Sequence, residues 1–104
     1  MLLDILKATG IPFKESRFNK APSTTYAVYT DSITRRGADN KNLLSDHRVY
    51  IELYSKVIDK DSEKKLESEL DARSITFDKS ERVWFEDEQK YQLIYNFEYT
   101  EKGV

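Results

Sequence analysis

Residues able to do covalent or ligand chemistry are few and scattered. His47 is the single histidine, and there is no cysteine. A catalytic triad or a zinc site needs company for that imidazole, and neither a thiol nor a second imidazole exists. His47 therefore reads as a polar residue at the start of a strand. Glu86-Asp87-Glu88 gathers three carboxylates, which invites comparison with a divalent-cation site. The spacing matches no calcium loop, and a solvated hairpin turn is the better reading. Gly10, Gly37 and Gly103 stand alone, so they form neither a phosphate cradle nor a dinucleotide fingerprint. The serines and threonines have no base beside them. Catalysis is weakly supported, and the chain is read as a non-enzyme with no cofactor and no metal.

Arg35-Arg36 is a basic pair able to touch phosphate, and Asp39 dilutes its charge. The pair lies in the most informative stretch of the chain, Asp31 to Asp46. This stretch is polar, carries both charge signs and separates two strand-like runs, Thr24–Thr30 and Arg48–Lys56. A hairpin needs about two to five residues to turn. A connection this long reads as a protruding arm, and long connections in compact domains are usually functional or disordered.

The elements that must position these residues follow from periodicity. Leu2, Leu3, Ile5 and Leu6 make an apolar stripe at helical spacing, which Gly10 and Pro12 stop, so a short helix is expected over 2–9. Residues 11–23 read as extended or irregular. Thr24–Thr30 is rich in β-branched and aromatic residues and reads as a strand. From Arg48 to Tyr54 the residues alternate: Val49, Ile51 and Leu53 point one way, Tyr50, Glu52 and Tyr54 the other. Over Asp59–Arg73 the period changes to helical, with Asp61 or Ser62 as the expected cap and Leu66 and Leu70 on the buried stripe. Arg82–Phe85 and Tyr91–Thr100 flank Glu86–Lys90 as a second hairpin, with Leu93, Tyr95 and Phe97 sharing one face.

This order predicts an α+β fold: a four-stranded, mostly antiparallel sheet with two helices packed on one face and a long hairpin arm. With 104 residues the chain is one domain, 1–104, without internal repeat or linker. Charged residues make up 35%, yet the net charge is only −2, which gives no general pull toward nucleic acid or anionic membrane. No apolar run approaches the roughly 20 residues of a membrane span, and Met1–Leu6 makes a poor secretory signal. Seven tyrosines in so short a chain suit half-buried sheets and interfaces. The aromatic row on the last strand invites comparison with RNA-stacking sheets, but Leu93 shares that face and core packing reads better. Tyr50 and Tyr54, on the sheet's second face, are read either as amphipathic surface or as interface.

Three segments carry a family likeness: Asp39-Asn40-Lys41-Asn42-Leu43 in the arm, Val49 through Tyr54, and Tyr91-Gln92 through Tyr95, Phe97, Glu98 and Tyr99. With the Thr24-Thr25-Tyr26-Ala27 strand start, their succession resembles the small tail-component proteins of long-tailed phages and prophages, of the head–tail joining or tail-terminator type. That resemblance implies a structural virion protein. It would form a ring with itself, commonly of six subunits, at the head-proximal end of the tail tube, and would contact tail tube and head connector proteins. Such a protein is assembled in the bacterial cytoplasm and ends in the virion tail. A ring needs two complementary patches per subunit. The expected contacts are Arg35, Arg36, Asp39, Asn40 and Lys41 on the arm and Tyr50 and Tyr54 on the sheet face. The rival reading is a small nucleic-acid-binding module using the sheet face with Arg35 and Arg36.

Overall fold

The computed structural model describes residues 1–37 and 43–103. The chain runs α1 (Leu2–Thr9), β1 (Phe13–Glu15), β2 (Tyr26–Arg36), β3 (Leu44–Ser55), α2 (Lys60–Ala72), β4 (Phe77–Lys79), β5 (Val83–Phe85) and β6 (Lys90–Lys102). It is an α+β fold, but the sheet is six-stranded and mixed rather than four-stranded. Its order is β1-β2-β3-β6-β4, with β5 pairing a separate part of β6, and β1 runs parallel to β2. The two extra strands, β1 and β4, are three residues each, too short for a period of two to show in the sequence.

The larger correction concerns the stretch Asp31–Asp46. Most of it is not a loop. The β2–β3 ladder continues unbroken from Tyr26↔Tyr54 to Arg36↔Leu44, and β6 follows β3 as far as Leu44↔Lys102. The hairpin is simply long, and its far half is made of polar strands. Of the expected arm contacts, Asp39, Asn40 and Lys41 lie outside the described residues.

One face of the sheet is apolar. Ala27, Val49, Ile51, Leu53, Leu93, Tyr95 and Phe97 form the core with Leu2, Ile5 and Leu6 of α1 and Leu66 and Leu70 of α2. Register explains the match: Val49, Ile51 and Leu53 lie opposite Phe97, Tyr95 and Leu93, so their side chains share a face. The helices α1 and α2 cover only this central part. Gly10 ends α1 in a left-handed conformation (φ 72°), and its N–H donates to the Lys7 carbonyl.

The cap of α2 is Asp59, two or three residues before the expected position. Its carboxylate accepts from the Ser62 backbone N–H at 3.1 Å and from the Ser62 hydroxyl at 2.7 Å. The Thr25 hydroxyl also donates to it at 2.6 Å, which ties the approach to β2 to the helix start. Asp59→Ala should therefore cost about 1–2 kcal/mol, at the upper end for an N-cap. Thermal melts of the two proteins measure it; an unchanged melting temperature would contradict the assignment.

Candidate functional site: the polar three-stranded arm

Past the helices, β2, β3 and β6 continue as a three-stranded ribbon. The radius of gyration is 15.1 Å and the extents are 50 × 28 × 22 Å. A compact chain of this length would have a radius near about 13 Å. Side-chain networks on both faces of the ribbon tie its three strands together.

On the helix side the network centres on His47. Its ring is 7% exposed and lies flat on Tyr99, with centroids 4.3 Å apart and planes 6° apart. Nδ1 reaches both oxygens of Asp31, at 2.8 and 3.0 Å. A carboxylate only accepts, so Nδ1 carries the hydrogen. Nε2 lies 2.8 Å from Glu101 Oε1 but off the line of a hydrogen bond. Asp31, His47 and Glu101 thus join β2, β3 and β6. Tyr99 lines one groove with Leu2 of α1 and stacks with Phe97. Burial first, then Asp31 and Glu101, push its hydroxyl up to about 12, so it stays protonated near neutrality.

On the opposite face Asp46 performs the same joining. It accepts from Arg36 Nε at 2.6 Å and from the Thr100 hydroxyl at 2.7 Å, again spanning three strands. Arg36 first, then Thr100, hold the Asp46 carboxyl below its usual range. Arg48 adds an exposed pair with Glu98 at 3.2 Å. His47 is therefore a buried mid-strand residue, not a polar residue at a strand start. The signal was available: Ser45, His47, Val49, Ile51 and Leu53 all fall on the same alternate phase.

The remaining expected contacts separate. Arg35 and Arg36 lie at the far end of β2, Arg36 paired with Asp46. Tyr50 is 42% exposed on the second face. Tyr54 is half-buried and already engaged. It stacks on Tyr26 at 5.2 Å, accepts from Gln92 and donates to Glu52. Phe18 meets Tyr26 edge-on, and the Lys90 ammonium sits over both tyrosine rings while donating to the Tyr26 hydroxyl at 2.8 Å. An aromatic pair packed in this way does not offer two open faces for bases. Glu86 is a turn residue that accepts from the Trp84 indole. Among the described residues no cluster of three or more His, Cys, Asp or Glu is placed to hold a metal ion.

Between α1 and the ribbon lies an open groove of about 470 Å³, lined by Met1, Leu3, Tyr29, Ile33 and Tyr99 with Asp4, Glu15, Asp31 and Glu101 at its polar parts. Met1, Leu3 and Ile33 are exposed at 42%, 46% and 55%, an apolar patch that the sequence reading missed because these residues belong to two different elements. No protein-family model matches the chain, and no curated protein matches it either.

Proposed function

We propose that this chain is a non-enzymatic assembly protein, a phage or prophage tail-terminator or head–tail joining component that forms a ring with itself. The observation that carries the assembly role is the ribbon: three strands extend beyond the helix-covered core, while β1 follows β2 only as far as Tyr29 and β4 follows β6 only as far as Phe97. A protein whose role ended in its own core would have little use for such an extension, because sheet edges left open are a liability. The specific identity as a tail component rests on the resemblance of the strand and arm segments. In this reading Arg35, Arg36 and exposed Tyr50 face neighbouring subunits, and the charged pairs along the ribbon set register and partner choice more than affinity.

The test is a mixture with purified tail tube protein from the same genome. Added protein should end tube growth, giving short tubes with a ring at one end by electron microscopy. Failure to bind either tube or connector protein at any concentration would reject the reading.

A further inference from the structure

Among the described residues, exposed large apolar side chains gather in three places, with Tyr50 apart on the sheet's second face. Met1, Leu3 and Ile33 line the groove between α1 and the ribbon, Val57 and Ile58 lie in the connection from β3 to α2, and Val83 and Trp84 lie on β5. The groove is acidic: its lining side chains include four carboxylates and one lysine, Lys7. Asp31 and Glu101 are turned to His47. Asp4 and Glu15 are exposed and enter no salt bridge among the described residues, so they are the two left to meet a cation.

The β3–α2 connection is the opposite kind of surface. Val57 and Ile58 are 67% and 49% exposed, and the exposed Lys56 and Lys60 flank them. Neither lysine enters a salt bridge among the described residues. Asp59 lies between them, but its carboxylate is turned to Thr25 and Ser62. An apolar knob between two cations thus answers an apolar groove with two open carboxylates. Val83 and Trp84 do not answer it. Arg82 beside them is taken by Glu63, and Glu86, Asp87 and Glu88 follow, which would set like charges together.

From this complementarity we infer that the β3–α2 connection of one copy docks in the α1–ribbon groove of the next. Val57 and Ile58 enter among Met1, Leu3 and Ile33, with Lys56 and Lys60 against Asp4 and Glu15. A chain does not fill its own groove: His47 at the groove and Ser55 beside the connection are eight residues apart on β3, about 27 Å. Two different patches therefore meet head to tail, and such a contact closes into a ring or grows open. The inference supplies a subunit contact for the ring proposed above and rests on that reading for closure alone. One short segment in a groove is a small contact, and small contacts are weak, so association is followed across concentration.

Charge reversal tests it. One variant carries Lys56→Glu and Lys60→Glu, the other Asp4→Lys and Glu15→Lys. All four residues are exposed, so both variants should stay folded by circular dichroism. Wild type, sedimented from micromolar to millimolar concentration, should show species heavier than the 12.3 kDa chain. Either variant alone sets like charges against each other and should associate roughly tenfold more weakly or worse. Mixed in equal amounts, each variant's knob meets the other's groove with opposite charge, and association should return to the wild-type level. Val57→Cys and Ile33→Cys give a second readout in a chain with no cysteine of its own. Under a short bismaleimide, the two variants mixed should link faster than either links to itself. The inference is overturned by a wild-type monomer at millimolar concentration, by a charge variant that associates like wild type, by a mixture no heavier than its parts, or by self-linking as fast as mixed linking. Tube capping by a protein that gives any of these results overturns the docking and leaves the tail role standing. Docking without binding to tube or connector protein rejects the tail role and leaves the docking standing.

Discussion

Tyr95→Ala should destabilise the protein by about 3–5 kcal/mol, the range for removing a large buried aromatic side chain. Tyr95 has no exposed surface and sits at the centre of the apolar face, opposite Ile51 on one side and Lys79 on the other. Phe77 meets its ring edge-on at 5.6 Å. Its hydroxyl donates to Glu67 of α2 at 2.6 Å, so one side chain fills the core and fastens a helix to the sheet. Burial first, then the Glu67 carboxylate, push its hydroxyl well above the ordinary tyrosine range, so it remains a donor throughout the working pH range. Tyr95→Phe separates the two contributions. It should cost about 1.5–3 kcal/mol, the value of a hydrogen bond to a charged acceptor, and toward the lower end because Glu67 keeps Lys79 at 2.8 Å. Urea unfolding curves of the three proteins decide this. A domain of this size has roughly 5–15 kcal/mol of stability in all, so the alanine variant should be marginal. Equal losses for both variants would place the effect in the hydroxyl rather than in the ring.

Tyr95 was legible in the sequence, and its legibility shows where pattern reading works. Val49, Ile51, Leu53, Leu93, Tyr95 and Phe97 alternate because one face of β3 and β6 is covered by helices, and alternation records that covering. Their neighbour β2 also continues past the helices, and there the pattern disappears. Residues 31–36 have solvent on most sides, and only Ile33 interrupts their polar character. A period of two has nothing to register there, which is why a long ladder reads as a loop. His47 failed for a related reason. Its strand phase places it among buried residues, but a lone histidine gives no hint that Asp31 and Glu101, sixteen and fifty-four positions away, will meet it. The groove beside it combines α1 with β2, β3 and β6, a juxtaposition set by topology alone. The helix cap reads late in the sequence because Asp61 and Ser62 also have capping side chains; the Thr25 contact that distinguishes Asp59 is long-range.

The second large effect should come from Glu63, and pH should control its size. Glu63 is a buried carboxylate on α2, its side chain 7% exposed. Arg82 grips it with two nitrogens, at 2.6 and 2.9 Å, and the Lys79 ammonium lies 3.2 Å away. These contacts fasten α2 to β4 and to the segment leading into β5. Breaking a buried ion pair by removing one partner costs about 3–5 kcal/mol. Both cations are about one-third exposed, so water recovers part of that, and Glu63→Gln should lose about 2–3 kcal/mol at neutral pH. Burial raises the Glu63 carboxyl, but Arg82 and then Lys79 outweigh it and hold the group below the usual carboxylate range. The folded chain therefore binds this proton less readily than the unfolded chain does. The stabilisation is complete above the unfolded value, about 4.3, and is lost as pH falls through the lower folded value. The gap in unfolding free energy between wild type and Glu63→Gln should accordingly hold steady from neutrality down to about pH 5 and then close in more acidic solution. Denaturant titrations of both proteins across that range provide the measurement. A gap that keeps its full size after the carboxyl is protonated would mean that the amide introduced by Glu63→Gln harms packing rather than charge pairing, and the ion-pair account of how α2 is held would fail.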